Sequence, residues 1–333
     1  MLDGGSVIGA NPWLVKKNVN CLLSPDSDGF LCGLLMSHFL DWKIVGFYDG
    51  KVMAIKHGIA PSSCAFLDIE INRPCVGSIG HHIISANNRI QPVTNFSFPN
   101  CVQPNELRSI DGKDFQRKYP FGTSHLLIAL LYQAGVLKGL GHRSTTPLLF
   151  TDGVWNNVFG YTENCLEWLE WFGIHENGHP LAAMFKHPTS IHQVMTDLNE
   201  FLRLRDGFNA IGVFRDGEYA AGGRNKRTGD KLRLSSSSGE PINLDRQNGQ
   251  YRVHPTERTR IEGFIATLGE LVEWTYSAPS WTWTGLDIVA FEKGTLSTVT
   301  NRSFTDLFAN NPISLAMTSG REIEYTLDPD NLF

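Results

Sequence analysis

The sequence predicts a two-domain α/β protein: an N-terminal domain whose mostly parallel sheet is flanked by helices, then a smaller, mixed α/β C-terminal domain. Three observations predict it. Through the first half, short apolar strand-like runs alternate with helical patterns, as βαβ units require. The 333 residues exceed an ordinary single domain at roughly 150 residues each. Beyond about residue 205 the pattern changes to hairpin signals, polar loops and short strands.

Taken in order, NCLL at 20–23 reads as a strand, SPDSDG as a turn, and FLCGLLMSHFL as a buried crossover helix, because its apolar residues run too continuously for an exposed one. WKIVGFYDGKVMAI is rich in β-branched and aromatic residues around Tyr48-Asp49-Gly50, and CAFLDIEI and VGSIGHHI are further apolar runs with polar ends. After Asn87 the chain is loop-like, with Pro92, Pro99 and Pro104, until YPFGTSHLLIALLYQAGVL resumes a helical pattern capped near Gly122-Thr123. PLLFTDG repeats the theme of a strand running into an acidic turn. TENCLEWLEWFGI begins a helix with the form of a capping box, Thr162 with Cys165 in the place of the usual Glu. IHQVMTDLNEFLRL has helical periodicity, so the expected division is a domain at 1–190, a helical connector at 191–205 and a second domain at 206–333.

A composition of 41% hydrophobic and 19% charged residues is that of a globular chain, and the net charge of −5 argues against coating nucleic acid through a global positive field. Six cysteines without a CxxC pair read as reduced, mostly buried thiols, which points to the cytoplasm. The N-terminus lacks the pattern of a signal peptide, and no apolar run reaches the ~18 residues of a membrane span.

The chemistry concentrates in turns. SPDSDG follows CLL, Asp68 ends CAFL, Gly80-His81-His82 follows VGSI, and Thr151-Asp152-Gly153 follows PLLF. In an open parallel sheet such turns share one edge, where ligands bind. Asp26 and Asp28, one residue apart at a helix entrance, can face the same crevice. Gathered carboxylates repel one another, and a hard divalent cation is the simplest neutraliser; a mixed Asp/His shell suits Mn²⁺, Fe²⁺ or Zn²⁺ better than Ca²⁺. A pair of such ions about 3.5–4 Å apart would activate water for in-line attack at phosphorus.

The ordered set PDSDG (25–29), LDIEI (67–71), GHH (80–82) and TDG (151–153) resembles the DHH phosphoesterase superfamily, which includes RecJ-type exonucleases, oligonucleotide and cyclic-dinucleotide phosphodiesterases, family II inorganic pyrophosphatases and exopolyphosphatases. IVGFYDGK, the FSFPN loop and GTSHLLIALL look like its intervening segments, so the resemblance covers about residues 20–175. It implies a DHH-like N-terminal domain in which Asp26, Asp28, Asp68, His81 and Asp152 bind metal, Mn²⁺ before Mg²⁺, with Asp68 bridging two ions and His82 facing the substrate phosphate. Asp68 and His82 are then the expected catalytic residues.

The chain departs from that pattern twice. Gly80 stands where the triplet has its aspartate, and Leu22 and Ser24 stand where many relatives carry a histidine before the acidic pair.

In the second half, AAGGRNKRTGDK (220–231) brings Arg224, Lys226, Arg227 and Lys231 to a glycine turn and faintly resembles the family's distal phosphate-binding stretch, with Arg224, Lys226 and Arg227 as the expected substrate contacts. Ser319-Gly320-Arg321 is a weaker phosphate hook. His125 reads more readily as a helix-capping core residue, the loose group His175, His179, His187 and His192 as structural, and Trp274, Trp281 and Trp283 as core before they read as base-stacking surface.

The expected activity is metal-dependent hydrolysis of phosphodiesters in a nucleotide or short single-stranded nucleic acid, by a protein free of the membrane and compatible with homo-oligomerisation. Pyrophosphate or polyphosphate hydrolysis, and a catalytically impaired nucleotide sensor or assembly subunit, are the alternatives.

Overall fold

A computed structural model describes residues 1–84, 98–110, 112–175, 178–186, 230–297, 306–307, 309–319, 322–328 and 332–333. Its centre is a nine-stranded sheet. The strands are β1 (Asn20–Leu23), β2 (Lys43–Tyr48), β3 (Val52–Lys56), β4 (Ala65–Leu67), β5 (Ser78–Ile79), β6 (Cys101–Val102), β7 (Leu244–Gln247), β8 (Gln250–Val253) and β9 (Thr284–Ala290), in the order β6-β5-β4-β1-β2-β3-β9-β8-β7. From β6 to β2 every pairing is parallel, and from β2 to β7 every pairing is antiparallel. The sheet is therefore mixed, with its parallel half built from the first third of the chain.

The antiparallel switch begins at the Tyr48-Asp49-Gly50 turn. Asp49 Oδ1 accepts from the amides of Lys51 (3.0 Å) and Val52 (2.8 Å), and Gly50 takes φ +86°. The hairpin exposes the β3 edge, and β9 pairs along it from Lys56↔Leu286 to Val52↔Ala290. Strands from both sides of the expected 191–205 division thus lie in one sheet, while that connector itself falls outside the described residues. A second, antiparallel sheet joins β10 (Glu292–Leu296), β12 (Glu322–Leu327) and β11 (Ser314–Ser319) in that order.

Among the described residues the α-helices are α1 (Gly4–Ala10), α2 (Ser27–Leu40), α3 (Pro104–Leu107), α4 (Thr123–Gln133), α5 (Thr145–Phe150), α6 (Val154–Gly160), α7 (Thr162–Phe172), α8 (Ala183–Lys186) and α9 (Pro255–Val272). The buried character expected of α2 is present: Phe30, Leu31, Leu34, Leu35 and Met36 are all fully buried. One core lies between the sheet and α2, α4 and α9. On the opposite face, Leu22, Val45, Met53 and Phe66 are covered by Phe291, Ile313 and the chain end at Phe333, which belong to the C-terminal segments.

Two local expectations are corrected. PLLF lies in α5, a helix, rather than in a strand; four apolar residues carry no decisive period, and Pro147 sits in the first turn, where a helix tolerates it. At the start of α7 no side chain caps the helix, and Thr162 Oγ1 instead donates back to the Val158 carbonyl at 2.8 Å. Trp274, Trp281 and Trp283 are buried at 4%, 4% and 2% exposure, and Trp283 packs against Phe47 and Trp281, so they are core rather than a stacking surface.

Candidate metal centre

Three of the four expected turns follow parallel strands. β1 leads through Ser24-Pro25-Asp26 into α2, which carries Asp28 in its first turn; β4 runs into Asp68; β5 runs into Gly80-His81-His82. The fourth, Thr151-Asp152-Gly153, arrives from the end of α5. Asp28, Asp68, His81 and Asp152 each offer a ligand atom within 4.8 Å of the others, and Asp68 with His81 and His82 forms a second such group. Residues spread over 124 positions of chain are thereby brought to one place where a metal ion could be held.

The gathering is built by the chain rather than merely adjacent. Asp28 Oδ2 accepts from the Thr123 amide at 2.6 Å and its Oδ1 from the Ser124 amide at 3.1 Å, so the N-terminus of α4 points at this carboxylate. Thr123 Oγ1 donates to Asp68 Oδ1 at 2.8 Å and lies 2.9 Å from His81 Nδ1. A hydroxyl has one proton; given to Asp68, it leaves His81 Nδ1 as the donor to Oγ1 and Nε2 as the nitrogen with a free lone pair. That Nε2 stands 3.7 Å from Asp152 Oδ2.

Asp68 and Asp152 both adopt left-handed backbone conformations, φ +59° and +50°. Such conformations are uncommon for non-glycine residues and cluster at functional sites. Two carboxylates of one cluster share the feature.

Electrostatically the centre is short of positive charge. Burial, and then repulsion from Asp28, Asp26 and Asp152, pushes the Asp68 carboxyl well above the usual range. Asp152 is likewise pushed up by burial, Asp28 and Asp26, although its side chain is 26% exposed. Burial, then the neighbouring His82, holds His81 well below the ordinary histidine value, which keeps its ring neutral. Asp68 Oδ2 is buried with no hydrogen-bond partner. Orphaned carboxylate oxygen, neutral imidazole and clustered acids together fit a divalent cation.

Asp26 stands outside this group. It caps α2, accepting from the Gly29 amide at 3.2 Å, and its Oδ2 lies 3.6 Å from Lys231 Nζ. Lys231 is held there because the Leu232 amide donates to the Pro25 carbonyl at 2.8 Å and Arg260 Nη2 donates to the Lys231 carbonyl at 2.8 Å. Of the cations in the 220–231 stretch, Lys231 is the one described; Arg224, Lys226 and Arg227 lie outside the described residues, as do His187, His192, Gly320 and Arg321. His125 is a fully buried cap whose Nδ1 accepts from the Gly122 amide at 3.1 Å, and His179 caps a short helical turn by accepting from the Leu181 amide at 3.3 Å.

Sequence reading missed Thr123 and Glu70. Both stood inside motifs already noticed: Thr123 at the expected start of a helix, and Glu70 two residues after Asp68 in LDIEI. Glu70 is buried, and it accepts from the His82 amide at 2.5 Å and meets His82 Nδ1 at 3.2 Å. Burial alone raises its carboxyl, but the charge and hydrogen bonds of His82 outweigh that and hold it below the ordinary value. For His82 burial lowers the ring pKa, yet Glu70's charge and hydrogen bond raise it on balance.

A cavity of about 590 Å³ opens beside the centre, lined by Asp26, Asp68, Glu70, His82 and Lys231 and, from other segments, by Lys51, Arg233, Ser235, Ser236 and Lys293. Among the described residues no helix is long and apolar enough to cross a membrane. Five cysteines are buried, Cys75 is exposed, and all six are free. No protein-family model, curated protein or solved structure matches the chain.

Proposed function

We propose that the protein is a metal-dependent phosphohydrolase acting on phosphodiesters of nucleotides or short oligonucleotides, with Mn²⁺ as the preferred ion. The observation that carries this reading is the convergence of Asp28, Asp68, His81 and Asp152 beside a cavity large enough for a nucleotide-sized ligand. These four residues would hold the ion, and a bound divalent cation supplies charge neutralisation and water activation. The chain's own contributions are separable from it. Thr123 and the α4 N-terminus fix the carboxylates. His82, 38% exposed at the cavity with Nδ1 engaged by Glu70, would donate from Nε2 to a non-bridging phosphoryl oxygen as the imidazolium that the Glu70 carboxylate favours. Lys231 adds a cation at the Asp26 rim.

One observation favours a second reading, a phosphoanhydride such as pyrophosphate or polyphosphate. Among the described residues the cavity lining carries Lys51, Lys231, Arg233 and Lys293, whereas Tyr48, its one Phe, Tyr or Trp, is buried at 2% exposure and presents little stacking face.

Wild-type protein and Asp28→Asn, each with Mn²⁺, should be tested against mononucleotides, cyclic dinucleotides, short DNA, short RNA and pyrophosphate. Turnover of a phosphodiester that Asp28→Asn abolishes supports the proposal. Turnover of pyrophosphate alone replaces it with the second reading. Nucleotide binding without turnover or metal dependence overturns both in favour of a sensor.

A further inference from the structure

We infer that Glu70 is the positioning residue for His82, and that residue 80 is glycine because Glu70 occupies the space its side chain would fill. What His82 then does for catalysis rests on the phosphohydrolase reading; the positioning itself does not.

The geometry is specific. Ile69 and Ile79 form an antiparallel bridge between adjacent segments, and just beyond it the Glu70 carboxylate lies against Gly80. A Cβ on residue 80 would collide with the Glu70 carboxyl carbon and Oε1, and would stand 2.8 Å from Oε2. Any side chain at 80 therefore displaces this carboxylate. In its present place each oxygen engages His82: Oε1 takes the backbone amide and Oε2 the ring Nδ1. Fixing both the amide and the ring sets the ring's direction, and Nε2 is left 4.0 Å from Asp68 Oδ1 at the cavity that His82 and Glu70 both line. Both oxygens of this buried carboxylate engage one residue, and those bonds offset the cost of burying the charge. The carboxylate absent from the chain at position 80 thus has a counterpart arriving from the neighbouring segment, one methylene longer and matched to the missing Cβ.

Glutamine at 70 is a stringent probe. It retains the size but has a single, uncharged acceptor, which cannot serve both the His82 amide and Nδ1–H, so the ring loses its charged partner and its fixed direction. The test uses full-length protein with ¹⁵N-labelled histidine, His82 being assigned by the signal lost in His82→Asn. In metal-free wild type the His82 Nδ1 resonance should be that of a protonated, hydrogen-bonded nitrogen. Glu70→Gln should shift it and weaken inorganic phosphate binding to the Mn²⁺-loaded protein about tenfold. Gly80→Asp alone should lower the melting temperature, and Glu70→Ala combined with Gly80→Asp should recover part of that loss and part of the phosphate affinity, a non-additive cycle. An unshifted Nδ1 signal in Glu70→Gln, or strictly additive effects in the Gly80→Asp/Glu70→Ala cycle, overturns the inference. If the histidine signals behave as expected while wild type turns over no phosphoester, the hydrolase reading fails and the positioning stands; if wild type is active and the signal ignores Glu70, the reverse holds.

Discussion

Thr123→Val tests the construction of the centre with little change of shape. The hydroxyl donates to Asp68 Oδ1 at 2.8 Å and accepts from His81 Nδ1 at 2.9 Å, and Thr123, Asp68 and His81 are all buried. Valine fills the same volume and makes neither bond. The backbone amide of residue 123 still holds Asp28, so the N-terminus of α4 keeps its aim. Two costs follow. Leaving a buried donor and a buried acceptor unpaired destabilises the metal-free fold by about 1–3 kcal/mol. Releasing the His81 tautomer, whose Nε2 is then no longer reserved for the ion, weakens metal binding about 10- to 100-fold, about 1.4–2.7 kcal/mol. Isothermal titration with Mn²⁺ and urea unfolding measure the two separately, and Thr123→Ser, which keeps the hydroxyl, should bind within about threefold of wild type. A folded Thr123→Val protein with wild-type Mn²⁺ affinity would refute the hydroxyl's role and the assignment of Nε2 as the ligand nitrogen.

Gly122→Ala should damage the same centre from another side. Residue 122 has φ −82°, which alanine adopts freely, but its Cβ would stand 2.6 Å from Asp28 Oδ1 and 2.8 Å from Asp152 Oδ2; a stability loss of about 1–3 kcal/mol by urea unfolding and a weakened Mn²⁺ isotherm are expected. Because Asp68 and Asp152 hold their protons to higher pH than ordinary carboxylates, Mn²⁺ must displace protons, so affinity should fall as pH is lowered, and titrations in buffers of different ionisation enthalpy should show proton release. His125 has the opposite sense for stability. Burial holds its pKa at about 4 against 6.5, so the unfolded chain binds the proton first. Its contribution is intact above about pH 6.5 and lost as pH falls toward 4, about 3 kcal/mol at full extent. His125→Asn should flatten that part of the stability profile in denaturant titrations across the window, measured against wild type because the raised carboxylates push the other way.

The parallel half of the fold was legible from its alternation: NCLL, an acidic turn and a long apolar helix follow one another as a βα unit, and α2 is apolar over most of its surface. Asp28, Asp68 and His81 were legible for the same reason, each lying a step past a strand. PLLF was misread because four apolar residues do not distinguish a strand from a helix end, though the acidic turn after it still delivers Asp152 to the centre. What the sequence concealed was tertiary. Nothing local says that β9, some 230 residues after β3, pairs with it, nor that Asp26 would face Lys231 rather than join Asp28. The pairing of Glu70 with Gly80 is also a matter of space between neighbouring segments. One residue gains its meaning from the side chain the other lacks, and neither position shows it alone.

A single site built from Asp28, Asp68, His81 and Asp152 would bind a divalent cation. Its most direct measurement is Mn²⁺ titration of metal-free protein by calorimetry, alongside the Asp28→Asn and Asp152→Asn variants. At least one ion per chain is expected in wild type, with affinity lowered by an order of magnitude or more in both variants while their folds persist. Wild-type protein that takes up no Mn²⁺, or variants that bind it as tightly as wild type, would contradict it.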